Sequence, residues 1–374
     1  MYDFKVALID PVGGHADNYY NYGLSIGLAN NNVEVFYSTS NSTQEIKHDG
    51  VHTLYYFTDI WTQKNKALKL KRYIQGFRKT IKFARKNDIK VVHLMVFHFD
   101  WLFVFSVLYS KMRGFKVITT LHDVTSFTGS RIPLAVEKKV LNSMDQVVVH
   151  NNYSYSVING IHAAGHYHVI HHGNYMQFIK KVEPQNIRQT LQLLFFGQIR
   201  KVKGLDVLVN ALPILKKKGV DVKLTIAGRV WKDDNIATYE EIIARDGTGD
   251  MVEMNIGYIP NDKVWDYFNN TNIVVLPYRE IYQSGVLLMA MSYGRAVLTS
   301  NIRAFADVIN DKENGLLFES DNSESLAEKI EYIYNNKETL RQLEERSTEF
   351  VKTEYDWDVS AKKIKQVYQQ ALLG

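Results

Sequence analysis

The stretch LPYREIYQSGVLLMAMSYGRAVLTSN, residues 276–301, predicts the end of a strand, a loop, a helix and a second strand in succession. In such a unit the loop places backbone N–H groups and the positive end of the helix dipole at the carboxyl edge of a parallel sheet. Ser284, Gly285 and Val286 are therefore predicted to bind a phosphate or a sugar hydroxyl. The alternative is that Gly285 only makes the turn, because one glycine-containing loop is a weak signal.

A second segment of the same kind lies upstream, in LQLLFFGQIRKVKGLDVLVNALPILKKKG, residues 191–219. An apolar strand ends at Gly197, a loop with Arg200 and Lys203 follows, and an amphipathic helix comes next. Arginine offers a planar fork and lysine a mobile point charge, so these cations suit a diphosphate. The alternative, that the loop charges are simply solvated, is stronger for Lys201 than for Lys203, which stands directly before the helix.

Apolar strand patterns alternate with helical patterns along the whole chain, as in α/β proteins with doubly wound parallel sheets. One series of strands occupies the first 172 residues and a second begins near residue 191. Residues 173–190 show no periodicity and are predicted to link two domains.

The composition fits a protein with two ordinary cores: 374 residues, 45% hydrophobic and 23% charged. The chain has no cysteine, so disulfides and thiolate zinc sites are excluded. The start, MYDFKVALID, reads as a strand and not as a signal peptide, which predicts a cytoplasmic location. The apolar residues 97–109 are too few to span a bilayer and are predicted to form a buried helix, with an exposed aromatic patch as the alternative.

Several motifs together resemble one known family. FGQIRKVKGLDVLVNAL, LTIAGRV, NIGYIPNDKVWDYFNNTNIVVLPY and QSGVLLMAMSYGRAVLTS are similar, in order and spacing, to the carboxyl-terminal half of family 4 retaining glycosyltransferases of the GT-B fold. VALIDPVGGHADNYYNYGLSIGLANNNVEVFY, TTLHD and VIHHGN are similar to the other half. The resemblance implies two Rossmann-like domains facing across a cleft. Residues 1–172 would bind the acceptor and residues 191–356 the nucleotide sugar, with the last helix, about 357–373, packing back on the first domain.

The resemblance also implies a set of site residues. The catalytic candidates are His122, Arg200, Lys203 and Glu280. The donor-binding candidates are Gly13, Gly14, Gly197, Arg200, Lys203, Tyr258, Ile259, Ser284, Gly285, Val286 and Met289.

One position departs from the family pattern. The family commonly has two glutamates separated by seven residues, and here Ile281 and Met289 stand at those positions, with Glu280 one residue early. We expect Glu280 to approach the donor sugar, and ribose to be held by other groups or by packing on Met289.

The implied reaction is transfer of a hexosyl group, with retention and without a metal, from a nucleotide sugar to a glycan or lipid-linked acceptor in cell-surface polysaccharide or glycolipid synthesis. The donor is expected to be UDP-linked, and no further cofactor is expected. The alternatives are a non-catalytic paralogue that binds glycan or membrane and a sugar-nucleotide epimerase of the same fold.

Residues 64–90 carry eleven basic residues and one acid, Asp88. As a helix this segment has an apolar stripe that includes Leu70 and Phe77, flanked by cations. We expect it to lie on an anionic membrane surface at the inner face of the cell membrane. The alternatives are an ordinary basic helix and a nucleic-acid site, and no nucleic-acid partner is predicted. The candidate membrane or acceptor residues are Lys69, Arg72, Arg78, Lys79, Lys82 and Lys86.

Two patterns resemble metal sites. His162, His166, His168, His171 and His172 are close in sequence, but they straddle a predicted strand and have no carboxylate nearby. The motif Asp356-Trp357-Asp358 stands where the last helix starts, so capping explains it better. No metal site is therefore predicted.

Overall fold

The computed structural model describes residues 2–13, 18–60, 62–97, 99–124, 132–163, 165–180 and 190–373, and only the backbone of Asn18. The chain divides into two compact units. Unit 1 consists of Met1–Gly173 together with Tyr355–Gly374, and unit 2 of Asn174–Glu354. The carboxyl-terminal segment therefore belongs to the first unit.

Unit 1 contains a seven-stranded, wholly parallel sheet in the order β3-β2-β1-β4-β5-β6-β7. Its strands are β1 (Phe4–Asp10), β2 (Val33–Ser40), β3 (Val51–Phe57), β4 (Val91–Val96), β5 (Lys116–Leu121), β6 (Gln146–Val149) and β7 (Tyr167–Val169). Its helices are α1 (Asn18–Asn30), α2 (Lys66–Lys86), α3 (Trp101–Met112), α4 (Leu134–Ser143), α5 (Asn152–Ile161) and, from the end of the chain, α13 (Trp357–Leu373). Helices α1 and α13 pack against each other, and one core cluster includes Tyr20, Leu24, Trp357 and Tyr368.

Unit 2 contains a six-stranded, wholly parallel sheet in the order β10-β9-β8-β11-β12-β13. Its strands are β8 (Leu191–Phe196), β9 (Val222–Gly228), β10 (Val252–Ile256), β11 (Ile273–Leu276), β12 (Ala296–Ser300) and β13 (Leu316–Phe318). Its helices are α6 (Leu205–Lys217), α7 (Ile236–Arg245), α8 (Asn261–Asn269), α9 (Gly285–Ser292), α10 (Arg303–Ala306), α11 (Ser323–Asn335) and α12 (Lys337–Glu354).

The predicted fold class is confirmed for each unit: each is an α/β unit built on a parallel sheet with the Rossmann strand order. In both sheets the order reverses once, between β1 and β4 in unit 1 and between β8 and β11 in unit 2. The loops that leave such a pair of strands diverge, and the crevice between them is where open α/β sheets bind ligands.

The structure differs from the sequence-based predictions at β3 and α2. Strand β3 was not predicted. In α2, Leu70 was predicted to lie on the apolar stripe, but its side chain is exposed. The buried residues of α2 are Gly76, Phe77, Thr80, Ile81 and Ala84. Among the described residues, none of the helices combines the length and the apolar character needed to cross a membrane.

Candidate active site

The two segments singled out in the sequence flank the reversal point of unit 2. Strands β8 and β11 are hydrogen-bonded neighbours, so the loops that follow them start side by side at the carboxyl edge of the sheet. The loop after β8 carries Gly197, Arg200 and Lys203, and the loop after β11 leads to Ser284.

Gly204 allows these two loops to approach each other closely. Its φ of 62° lies in the left-handed region, and a Cβ atom there would come within 1.9 Å of the Pro277 carbonyl oxygen. A side chain at this position would therefore push the turn at Lys201–Lys203 away from the end of β11.

Lys203 lies among residues of both loops. Its Nζ atom is 5.0 Å from the centre of the Tyr278 ring, which gives the ammonium group a cation–π contact. A Cβ atom added to Gly197 would lie 3.7 Å from Lys203 Nζ and 3.4 Å from the Val286 side chain. The structure thus brings together Gly197, Lys203 and Val286, three of the predicted donor-binding residues.

Arg200 forms an ion pair with Asp233, a residue that was not predicted from the sequence. Its Nε and Nη2 atoms donate to Asp233 Oδ2 at 3.2 and 3.0 Å. The Arg200 side chain is mostly buried, while that of Asp233 is exposed. A phosphate that binds Arg200 must therefore share it with Asp233 or displace the carboxylate.

Helix α9 begins at the edge of this crevice. The Ser284 Oγ atom accepts a hydrogen bond from Leu287 N at 3.2 Å, so Ser284 is the N-cap and its hydroxyl hydrogen remains available to a ligand. A Cβ atom on Gly285 would lie 2.8 Å from the Tyr175 hydroxyl, which explains glycine at this position. The first N–H groups of the helix, with the helix dipole, favour an anion here.

Arg279 ties the two loops to the start of α6, and the sequence analysis missed it. It donates to both carboxylate oxygens of Asp206, at 2.8 and 2.6 Å, and to Asp321 at 2.8 Å. It also donates to the Lys201 carbonyl at 2.9 Å, and its backbone N–H donates to the Val202 carbonyl at 2.8 Å. Arg279 therefore fixes the turn that carries Lys203 against the loop that leads to α9.

The remaining predicted donor-side residues differ in exposure and in the elements that carry them. Glu280 is exposed and Met289 is half-buried on α9. Tyr258, 64% exposed, and Ile259 follow β10, which is an edge strand two positions from β8.

In unit 1, Gly13 follows β1 with a φ of 45°, and a Cβ atom there would clash with the Thr43 and Thr39 hydroxyls. Gly13 N donates to Asp10 Oδ1 at 3.4 Å, which closes the turn. Gly14 lies outside the described residues.

His122 follows β5, is half-buried, and lies against a buried aromatic cluster. Its ring stacks on Phe97, with centroids 4.3 Å apart, and meets the edge of Tyr20 at 4.6 Å. Burial, and secondarily the nearby His150, holds the His122 pKa well below its usual range. The neutral imidazole has one donor and one acceptor nitrogen, which suits a hydrogen bond to a sugar hydroxyl.

Tyr20 is the centre of this cluster, which sequence reasoning did not find. Its ring contacts His122, His150, His172 and Trp357 at centroid distances between 4.6 and 5.3 Å. Burial lowers the pKa of His150 to about 3 and that of His172 to about 4. The sequence singled out His122 and the motif that contains His172, but it gave no sign that Tyr20 joins these residues.

Three of the histidines that resemble a metal site in the sequence have separate partners. His162 hydrogen-bonds Asn142, His168 bonds Gln146 at 2.6 Å, and His171 stacks on Tyr355. Within the part of the chain that the structure describes, no three His, Asp or Glu side chains are grouped to hold a metal ion.

Asp356 has the capping role that was predicted for it. Its Oδ1 atom accepts from the N–H groups of Asp358 and Val359, at 2.9 and 3.1 Å, at the start of α13.

The basic residues of α2 face two ways. Arg78, Lys79, Lys82 and Lys86 are exposed on the side opposite the buried Phe77. Arg72 pairs with Asp59 at 3.5 Å and is half-buried, as is Lys69. Four of the six predicted residues are therefore exposed, and two are half-buried.

Two family models match the chain over consecutive regions. The model described as Glycosyltransferase Family 4 matches residues 18–174, and that described as Glycosyl transferases group 1 matches residues 177–350. The chain belongs to the family 4 glycosyltransferases. The second region of this glycosyltransferase contains the whole Gly197, Lys203 and Ser284 arrangement.

Two curated relatives are similar over part of the chain. An uncharacterised glycosyltransferase of Methanocaldococcus jannaschii is 24% identical over 289 residues, which is 76% of this chain and 70% of that protein. The capsular polysaccharide biosynthesis glycosyltransferase CapM of Staphylococcus aureus is 26% identical over 148 residues, 40% of this chain and 37% of CapM.

Several solved structures share the fold over nearly the full length of this chain. Sucrose-phosphate synthase of Thermosynechococcus elongatus has a TM-score of 0.77 at 21% identity, with 99% of each chain covered. Anabaena HepE in complex with UDP-glucose has a TM-score of 0.73 at 14% identity, with 98% of this glycosyltransferase and 99% of HepE covered. These likenesses show the GT-B glycosyltransferase fold.

Proposed function

We propose that this glycosyltransferase moves a hexosyl group, with retention, from a UDP-linked sugar to a glycan or lipid-linked acceptor in cell-surface polysaccharide or glycolipid synthesis. The observation that carries the proposal is the meeting of Lys203, Gly197 and the start of α9 at the reversal point of the unit 2 sheet.

The site suits a diphosphate leaving group because charge accumulates there as the glycosidic bond breaks. In the proposed reaction, Lys203 and Arg200 neutralise that charge, and the Gly285 and Val286 N–H groups bind phosphate or sugar oxygens. Each charge-assisted hydrogen bond contributes about 1.5–3 kcal/mol. Arg200 and Lys203 would thus supply the charge neutralisation that a metal ion supplies in other transferases.

Three further roles rest on the family resemblance. His122 would hydrogen-bond a sugar hydroxyl, and Glu280 would approach the donor sugar from its exposed position. Met289 would pack against the ribose, where the family commonly has a glutamate.

The UDP and acceptor classes are supported by relatives. HepE is known with UDP-glucose, and CapM is named for capsular polysaccharide biosynthesis. The exposed cations of α2 favour peripheral association with an anionic membrane, which is where a lipid-linked acceptor would lie. Vesicle binding that weakens with salt, and that is lost when Lys79, Lys82 and Lys86 become glutamine, is the expected result.

A second candidate, a non-catalytic paralogue, is favoured by one observation, the methionine at position 289. Measurement of turnover distinguishes the glycosyltransferase from a non-catalytic paralogue. Incubation with UDP-sugars and membrane or glycan extracts should release UDP, and NMR of the product should show the anomeric configuration of the donor. The Lys203→Ala variant should lose most of this activity, whereas Lys201→Ala, an exposed cation of the same turn, should retain it. Absence of turnover with any donor, or equal turnover in the two variants, would contradict the proposal.

A further inference from the structure

Helix α3 has an apolar surface facing solvent. Trp101 is 59% exposed, Leu108 40% and Met112 83%. Their spacings of seven and four residues place the three side chains along one line of the helix. We name these three residues the α3 stripe. The sequence predicted a buried helix here, and only the opposite side, with Phe103, Val104 and Val107, is buried.

The helices beside α3 supply positive charge. Helix α2 contacts it through Phe77, which packs on Phe105 and Tyr109, and α4 packs on its other side. The exposed cations of these neighbours are Lys66, Lys71, Arg78, Lys79, Lys82, Arg85 and Lys86 on α2 and Lys138 and Lys139 on α4. Helix α4 also exposes Leu134, at 56%.

Negative charge is nearly absent from this layer of helices. The sequences of α2, α3 and α4 contain one carboxylate, Glu137, and its side chain is buried. An apolar stripe between two cationic helices, without exposed acids, is complementary to a bilayer with anionic headgroups over an apolar interior.

We infer that the α3 stripe enters the interfacial region of an anionic bilayer while the cations of α2 and α4 bind lipid phosphates. The inference rests on the proposed membrane association and adds the element that penetrates the membrane. A second copy of the chain is a poorer occupant, because a two-fold interface would place the cations of each α2 near those of the other. Nucleic acid is also a poorer occupant, because Leu108 and Met112, two of the three side chains, offer it neither hydrogen bonds nor ring stacking.

The test uses full-length protein and flotation with vesicles of phosphatidylcholine, alone or mixed with phosphatidylglycerol. The triple variant Trp101→Ser, Leu108→Ser, Met112→Ser should bind the mixed vesicles at least about tenfold more weakly than wild type. A matched triple variant, Tyr332→Ser, Val359→Ser, Leu373→Ser, removes exposed apolar side chains elsewhere and should bind like wild type.

Fluorescence gives a second measurement that does not depend on the triple variant folding. Brominated phosphatidylcholine in the mixed vesicles should quench wild-type emission, and the single variant Trp101→Phe should lose that quenching while still binding. Unquenched emission, or equal flotation of the stripe variant and wild type, would overturn the inference and leave charge-driven association standing. The inference would also be overturned if the wild-type protein is a dimer in solution and the stripe variant is a monomer. Turnover with a soluble acceptor tests the proposed transfer independently and should be unchanged in the stripe variant.

Discussion

Arg279 shows how much of the candidate site depends on a residue that need not touch the ligand. Its guanidinium spans Asp206, Asp321 and the Lys201 carbonyl, which belong to separate segments of unit 2. Bidentate charged pairs of this kind fix geometry as well as adding energy. The position of Lys203 therefore depends on a contact that only the folded chain makes.

We predict that Arg279→Ala lowers the unfolding free energy by about 1–3 kcal/mol, because two carboxylates lose their partner. The same change should raise the KM for the nucleotide sugar, since the Lys203 turn loses its anchor. Chemical denaturation and initial rates measure the two effects. Arg341→Ala, which removes an exposed pair with Glu345, is the control and should change neither. A KM that stays constant in a destabilised Arg279→Ala protein would show that Arg279 has no positioning role.

Helix α9 combines a structural and a binding function at its first turn. Ser284 caps the helix through its Oγ atom, while the N–H groups beside it face the proposed phosphate site. Substitutions that keep or remove the cap, and that add or omit a negative charge, separate these functions.

We predict that Ser284→Ala costs about 0.5–2 kcal/mol of stability through loss of the cap. Ser284→Asp should keep the cap and the stability, yet weaken nucleotide binding by repelling the phosphates. Thermal unfolding and titration with UDP measure the two properties. If Ser284→Asp binds UDP as tightly as wild type, the phosphates do not lie at the start of α9.

At the level of elements, the apolar patterns of the sequence predicted the other described strands but not β3. Strand β3 is an edge strand whose middle residues are partly exposed, so its apolar pattern is interrupted by His52 and Thr53. In α2 the helical period placed Phe77 and Ile81 correctly in the core, but Leu70 lies in the first turns, where the described helix has no buried residue. The apolar periodicity of a helix does not show over which of its turns the neighbouring elements cover it.

The part of the candidate site that lies in loops directly after strands could be predicted from the sequence. Gly197, Lys203 and Ser284 were found because loops after neighbouring parallel strands share an edge. The acidic partners of Arg200 and Arg279 were not found, because helices and strands separate Asp233 and Asp206 from these arginines in the sequence. The Tyr20 cluster likewise joins the ends of several strands with two helices.

For the whole molecule, the buried histidines of unit 1 predict acid sensitivity. Burial lowers the pKa of His93 and of His150 to about 3 and that of His172 to about 4, below the unfolded value of about 6.5. Below about pH 6.5 the unfolded chain therefore binds more protons than the folded chain. Stability is full above that pH and falls as the pH drops towards 4, by up to about 1.4 kcal/mol per pH unit for each histidine.

Chemical denaturation of the full-length protein at a series of pH values checks this prediction. The variant His150→Asn should reduce the slope of stability against pH, since one buried titrating group is gone. A slope that is equal in His150→Asn and wild type would contradict the assignment of the acid sensitivity to the buried histidines.

The central claim is that unit 2 binds a nucleoside diphosphate at the loops after β8 and β11. Titration calorimetry of the full-length protein with UDP, GDP, ADP and dTDP tests it most directly. We expect one of them, UDP first, to bind with micromolar to millimolar affinity, about −8 to −4 kcal/mol. Lys203→Ala should weaken that binding at least about tenfold, and Lys201→Ala should leave it unchanged. Absence of binding for all four at millimolar concentration, or equal binding by the two lysine variants, would contradict the account.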